Sequence, residues 1–120
     1  FLKTLRLSMR TAVPNVEVVN IAGYCSVQAE VQSVADEVDF VFCAVSMSKD
    51  ETRALEERYA KAEIPVVSNN SANRWTPDVP MVIPEVNNGH IKVIADQRKR
   101  LGTTRGFIAV KPNCSIQSYV

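Results

Sequence analysis

Glycine is scarce in this chain of 120 residues. The four copies stand at positions 23, 89, 102 and 106, and their spacing makes no glycine-rich turn able to wrap backbone N–H groups around a phosphate. Histidine is scarcer still: His90 is the only one, and its NNGH context is that of an ordinary solvated helix start, so no histidine-rich metal centre is encoded. No apolar run approaches the roughly 20 residues that a membrane-spanning helix needs. The charges nearly cancel, with 14 basic and 13 acidic side chains for a net +1. The chain therefore lacks the global field that draws a protein to nucleic acid or to an anionic membrane. The basic triplet Arg98, Lys99 and Arg100, near Asp96, reads as the solvated end of a helix. Three cysteines, Cys25, Cys43 and Cys114, show neither metal-ligand nor disulfide-framework spacing and suit a reducing compartment. Phe1 to Arg10 carries no sustained apolar core and no small-residue cleavage site. Together these absences read as a soluble protein of a reducing, cytoplasmic compartment, with neither nucleic acid nor membrane as a partner.

What is present suffices for one domain. Hydrophobic residues make up 46% of the sequence, enough for a core in a chain of ordinary domain length. Strand-like and helix-like stretches alternate, which predicts α/β architecture with a doubly wound, mainly parallel, Rossmann-like sheet. Val16 to Ala22 is β-branched and reads as a strand, and Val27 to Ala35 as a short helix. Val38 to Ala44 is nearly all apolar, as in a strand buried on both faces. Ser48 to Ala62 reads as a helix, with Ser48 as N-cap and Glu51 completing a capping box. Its Leu55, Tyr59 and Ala62 share one face, while Glu56 and Glu57 are expected to face water. Ile64 to Val67 is a brief apolar run, and Val79 to Ile83 a short strand with Pro80 near its start. Asn87 or Asn88 is expected to cap a helix running to Arg100, with Gly102 as its stop. Gly106 to Val110 closes the series of strands. Polar segments Ser46 to Ser48, Ser68 to Arg74 and Asn113 to Gln117 follow strands, where open parallel sheets bind their ligands.

The chemistry concentrates in Pro112-Asn113-Cys114-Ser115. A strand ends, proline prevents its continuation, and a cysteine arrives where a helix can begin. Free N–H groups at a helix start favour a thiolate. Those groups, with the Asn113 amide, could also donate to the oxyanion formed when sulfur attacks a carbonyl. A thiolate is a strong nucleophile and a good leaving group from a thioester. The same position also suits an inert, buried thiol. Cys43, inside the most apolar stretch, reads as a core thiol; Trp75 reads as a packing anchor for its loop.

Residues 66–87 (VVSNNSANRWTPDVPMVIPEVN) and 111–120 (KPNCSIQSYV) resemble aspartate-semialdehyde dehydrogenase, nearest the branch of archaea, fungi and some bacteria. The shared pattern comprises Ser68, Asn69, Ser71 and Arg74, then Asp78 to Pro80, Ile83 to Glu85 and Asn87, then Pro112 to Ser115. The likeness runs over residues 38–120 and is weak before Val38. It implies an NADP-dependent reductive dephosphorylation of β-aspartyl phosphate through a cysteine thioester, feeding lysine, threonine and methionine synthesis. By matching positions, the resemblance makes Cys114 the nucleophile and Arg74 the phosphate-gripping cation. Asn113 becomes a substrate or oxyanion contact. Ala44, Ser46, Asn69 and Ser71 are expected beside the cofactor. A homo-oligomer, dimer or tetramer, is also implied.

Two parts of the family pattern have no counterpart here: the glycine-rich pyrophosphate turn and the general-base histidine beyond the cysteine. Residues 1–120 are therefore expected to be a partial dinucleotide-binding domain, ending at the nucleophile loop of a longer enzyme and inactive alone. Malonyl- or succinyl-CoA reductases of the same branch, and N-acetyl-glutamyl-phosphate reductase, use similar chemistry. A nonenzymatic nucleotide-binding remnant is the alternative of another class.

Overall fold

The structure, a computed structural model, describes residues 28–117 and 119. The expected strand Val16 to Ala22, and Cys25, lie outside them. Helix α1 spans Gln28–Glu37, strand β1 Val41–Cys43, helix α2 Lys49–Lys61 and strand β2 Val66–Ser68. A one-turn helix α3, Pro84–Asn87, leads into a 3-10 segment, Asn88–Val93, and helix α4, Ile94–Leu101. Strand β3, Ile108–Val110, and the single turn α5, Cys114–Gln117, follow. The strands form a parallel sheet in the order β1-β2-β3, with Val41, Val66 and Ile108 in one row and Cys43, Ser68 and Val110 in another. The doubly wound α/β expectation is met in its parallel, helix-connected character.

Helix α2 is specified locally. Ser48 Oγ accepts from the Glu51 backbone N–H, and the Glu51 carboxylate accepts in return from Ser48, completing the capping box. The Ser48 hydroxyl and backbone N–H together hold the Glu51 carboxyl below its usual range. Asp50 and Glu51 occupy the first turn and Arg58 and Lys61 the last, matching the helix dipole at both ends. The helix stops where Glu63 takes a left-handed φ of 65° and Pro65 forbids another turn. The Glu63 carboxylate then receives the backbone N–H groups of Thr104, Arg105 and Gly106, tying the end of α2 to the approach of β3.

One face of the sheet packs on this helix. Val41, Cys43, Val66, Ile108 and Val110 join Leu55, Tyr59 and Ala60 in a single buried cluster, with Val31 and Val34 of α1 beside them. The alternate residues point away, and Phe42 remains 45% exposed. β1 is thus not buried on both faces: in a strand of three residues, period-two geometry sends Phe42 to the side opposite α2.

Val79 to Ile83 contributes only one parallel bridge, Met81 to Val110, rather than a strand. Pro80 has no N–H to donate, and the next ladder position on β3 is occupied by a side chain. The Gln97 amide of α4 donates to the Ile108 carbonyl at 2.9 Å and accepts the Ile108 N–H at 2.6 Å. It is fully buried and works as a substitute strand. The expected continuous helix from Asn87 to Arg100 is also modified. Asn87 turns back to accept the Ile83 N–H and to donate to the Met81 carbonyl, and the chain winds as 3-10 before α4 begins. Gly102 ends α4 with φ 71°, as its position predicted. The basic end of α4 is exposed at Lys99 and Arg100, as expected, and also ion-paired: Lys99 with Asp96, and Arg100 with Asp78 and Glu57. His90 is exposed, with Nδ1 3.2 Å from the Met81 carbonyl.

Candidate active site

The carboxyl ends of the three strands are stitched into one surface. Asn69, just after β2, donates its N–H to the Cys43 carbonyl at the end of β1, at 2.9 Å. Lys111, just after β3, donates to the Ser68 carbonyl at 3.0 Å. Arg74 completes the connection. Its Nε donates to the Lys111 carbonyl at 3.2 Å, and its Nη2 donates to Asn69 at 3.2 Å and Pro112 at 3.5 Å. Three carbonyl oxygens thus orient one guanidinium against the segment that carries Cys114. Nη1 takes part in none of these bonds.

Cys114 is exposed at the first position of α5. Asn113 serves as the cap of that turn: its Oδ1 accepts the Ser115 N–H at 2.9 Å, and its carbonyl accepts the Ile116 N–H at 3.0 Å. The first of these bonds fixes which amide atom is oxygen, and the Cys114 thiol donates to the same oxygen at 3.5 Å. This amends the sequence expectation in one respect. The backbone N–H groups of Ser115 and Ile116 are already satisfied, because Asn113 uses them to close the turn. The Asn113 amide nitrogen is the donor that this side chain retains for a bound oxygen.

The remaining expected positions separate into two groups. Asn69 belongs to the stitched surface through both its N–H and its carbonyl, and Ala44 follows the Cys43 carbonyl that Asn69 holds. Ser46 and Ser71 are exposed in the loops after β1 and β2; the Ser71 carbonyl accepts the Arg74 backbone N–H at 3.3 Å, whereas Ser46 has no bond to the stitched surface among the described residues. Trp75 is 92% exposed. It anchors nothing, because the turn around it is held instead by its neighbours Asn73 and Arg74.

The sequence expectation missed a second layer beneath this surface. Glu56, expected to face water, is 1% exposed. Its Oε1 accepts from the Ser68 hydroxyl and its Oε2 from the Asn73 amide at 2.6 Å. Asn73 in turn accepts from the Thr76 hydroxyl at 3.0 Å, and Ser68 Oγ accepts the Asn70 N–H at 3.0 Å. From the same helix, Arg53 donates to the Ala72 carbonyl at 2.9 Å. A signal for this was present: Thr52, Leu55, Glu56, Tyr59 and Ala60 fall on one helical stripe, and all five are buried. Cys43 is a core thiol, as expected. Burial first, and the nearby Glu56 charge second, push it up to about 11.

A parallel sheet whose strand ends carry polar loops, a tethered arginine and an exposed cysteine defines a Rossmann-like, nucleotide-binding α/β domain with a thiol at its rim. The chain belongs to the family described as "Semialdehyde dehydrogenase, NAD binding domain", which it matches over residues 8–94. That match begins well upstream of Val38, where the sequence motifs become legible. The chain is 44% identical over 79 residues to the aspartate-semialdehyde dehydrogenase of Archaeoglobus fulgidus, covering 66% of this chain and 22% of that protein. It is 40% identical over 124 residues to that of Methanothermobacter thermautotrophicus, covering 95% of this chain and 35% of that protein. The crystal structure of aspartate-semialdehyde dehydrogenase with NADP from Candida albicans is similar at a TM-score of 0.52 and 36% identity, over 66% of this chain and 23% of that one. The chain thus spans between 22% and 35% of the length of these curated relatives.

Proposed function

We propose that this chain is the cofactor-domain portion, ending at the nucleophile loop, of an NADP-dependent aspartate-semialdehyde dehydrogenase. The observation that carries this is the attachment of Arg74 to the carbonyls of Lys111 and Pro112. It holds the Arg74 guanidinium against the segment that carries the exposed Cys114, at the carboxyl ends of a parallel sheet, which supports a phosphate-binding role for Arg74. The identities to aspartate-semialdehyde dehydrogenases support the choice of substrate.

In this reaction the Cys114 sulfur attacks the acyl carbon of β-aspartyl phosphate. A C–S bond forms, the C–O bond to phosphate breaks, and the electron pair leaves on inorganic phosphate. Arg74 receives that anion, since a planar guanidinium can direct charge-assisted hydrogen bonds at phosphate oxygens. The Asn113 amide nitrogen supports the oxygen that becomes negative during attack. The exposed residues Ala44, Ser46, Asn69 and Ser71, at the ends of β1 and β2, offer backbone and hydroxyl groups suited to a dinucleotide. These residues would hold NADP, which in its reduced form would supply the hydride needed at the acyl carbon of the thioester. The sulfur of Cys114 then departs as thiolate and aspartate semialdehyde is released. No helix among the described residues is long and apolar enough to cross a membrane. With the free thiols of Cys43 and Cys114, that supports a cytoplasmic setting; the family resemblance supports a homo-oligomer, dimer or tetramer.

The test is a panel on the purified full-length protein. Aspartate semialdehyde, inorganic phosphate and NADP should give phosphate-dependent NADPH formation. Reduction of malonyl-CoA without that activity would replace aspartate semialdehyde as the substrate. Residues 1–120 purified alone should show neither activity.

A further inference from the structure

Helix α2 is remote in sequence from both Arg74 and Cys114, yet it holds the turn from which Arg74 projects. The Glu56 carboxylate is buried and has a donor on each oxygen, Ser68 from the end of β2 and Asn73 from the turn. Asn73 is itself 1% exposed, and the next residue, Arg74, points the opposite way to the Lys111 and Pro112 carbonyls. The turn is therefore fixed from beneath by a buried carboxylate while its upper side grips the nucleophile loop. A buried charge is costly unless hydrogen-bonded, so the bonds from Ser68 and Asn73 hold the carboxylate and the turn together. Arg53, one helical turn before Glu56, adds a bond to the Ala72 carbonyl on the same turn.

We propose that Glu56 is a positioning residue for phosphate binding: through Asn73 and Ser68 it sets the attitude of the turn that aims Arg74 at the leaving phosphate. This rests on the reading of Arg74 and Cys114 given above. A glutamine at position 56 replaces the charged acceptor by a neutral amide. With its oxygen toward the Asn73 amide, its nitrogen meets the Ser68 hydroxyl, which must give up the bond it donates to position 56 and accept there instead. The turn would loosen, and a misplacement of a fraction of an ångström at a group that binds the reacting phosphate is enough to be read in kinetics.

In the full-length enzyme, Glu56→Gln should raise the KM for inorganic phosphate about tenfold while changing the KM for NADP less than about twofold. Combining it with Arg74→Ala should raise the phosphate KM no further than Arg74→Ala alone, because both substitutions disable the same contact. An unchanged phosphate KM in Glu56→Gln, or equal losses for phosphate and NADP, would reduce Glu56 to a packing role and overturn the inference. So would independent, multiplying effects in the double variant. If Glu56→Gln does not fold, Asn73→Ser cuts the same link from the other end, and the same outcomes apply to it. Should Arg74→Ala itself leave the phosphate KM unchanged, the site assignment fails. Should only Glu56→Gln and Asn73→Ser leave it unchanged, the positioning role fails alone.

Discussion

Arg74 Nε donates to the Lys111 backbone carbonyl at 3.2 Å, joining positions 37 residues apart in the chain. A side chain that merely decorated a loop would not be held in this way. The bond makes the geometry of the cysteine-bearing segment depend on the turn after β2.

Replacement of Arg74 by alanine in the full-length enzyme is expected to raise the KM for inorganic phosphate about 10- to 100-fold, the equivalent of roughly 1.5–3 kcal/mol for a hydrogen bond to a charged group. Arg74→Lys should recover only part of this, because a single ammonium cannot hold three backbone carbonyls and a phosphate as the planar guanidinium does. Steady-state kinetics at varied phosphate would measure both. A phosphate dependence identical to wild type in Arg74→Ala removes the residue from the site.

Iodoacetamide at neutral pH should modify Cys114 well before Cys43 in the folded protein. Cys114 is exposed, whereas Cys43 is sealed in the core and its thiol is pushed up to about 11. Mass spectrometry of a time course would locate the label, and comparable rates at the two positions contradict the assignment. In the full-length enzyme Cys114→Ala should abolish turnover while NADP binding, followed by fluorescence titration, stays near the wild-type level.

Cys43 should also make the fold sensitive to alkali. Its folded pKa lies above the ordinary thiol value of 9.0 at about 11, mainly through burial. The folded state therefore holds the proton more tightly than the unfolded chain does. The contribution is fully present below pH 9 and is lost as pH rises toward 11. Urea unfolding of wild type and Cys43→Ala across that range should show a steeper fall in wild type. Parallel curves would show that the thiol has no part in it.

Two glycines separate backbone strain from crowding. A Cβ at Gly106 would lie 1.8 Å from the Ala60 carbonyl oxygen and 3.1 Å from the Glu63 Cα. Both are backbone atoms, so the end of α2 would have to move, and Gly106→Ala should cost about 3 kcal/mol or more. Around Gly102 nothing lies within 4 Å of such a Cβ. Only its φ of 71° opposes Gly102→Ala, at about 1–2 kcal/mol. Chemical denaturation would rank them, and the reverse order would contradict the close approach of β3 to α2.

The helix ends and the cysteine at a strand end were legible because their chemistry is local, whereas Arg74 and Asn69 were reached only through the family resemblance. Ser48 and Glu51 announce the start of α2 three residues apart, Gly102 its counterpart at the end of α4, and Pro112-Asn113-Cys114 a strand that must stop where a nucleophile begins. Trp75 and Glu56 were assigned the wrong environments for a common reason. Residue type sets a preference for burial, but the partner that satisfies or refuses it comes from another part of the chain. Glu56 finds Asn73 and Ser68; Trp75 finds no wall to pack against.

By itself, then, the sequence determined the start of α2, the end of α4, the parallel α/β character and the cysteine at a strand end, since caps, β-branched runs and proline act over a few residues. Only the tertiary structure decided that Gln97 would replace a strand at the edge of β3, that a glutamate would lie in the core, and that Arg74 would reach across to the nucleophile loop. These depend on which backbone groups are left unpaired once the strands align. That pairing arises between segments tens of residues apart, where no local pattern records it.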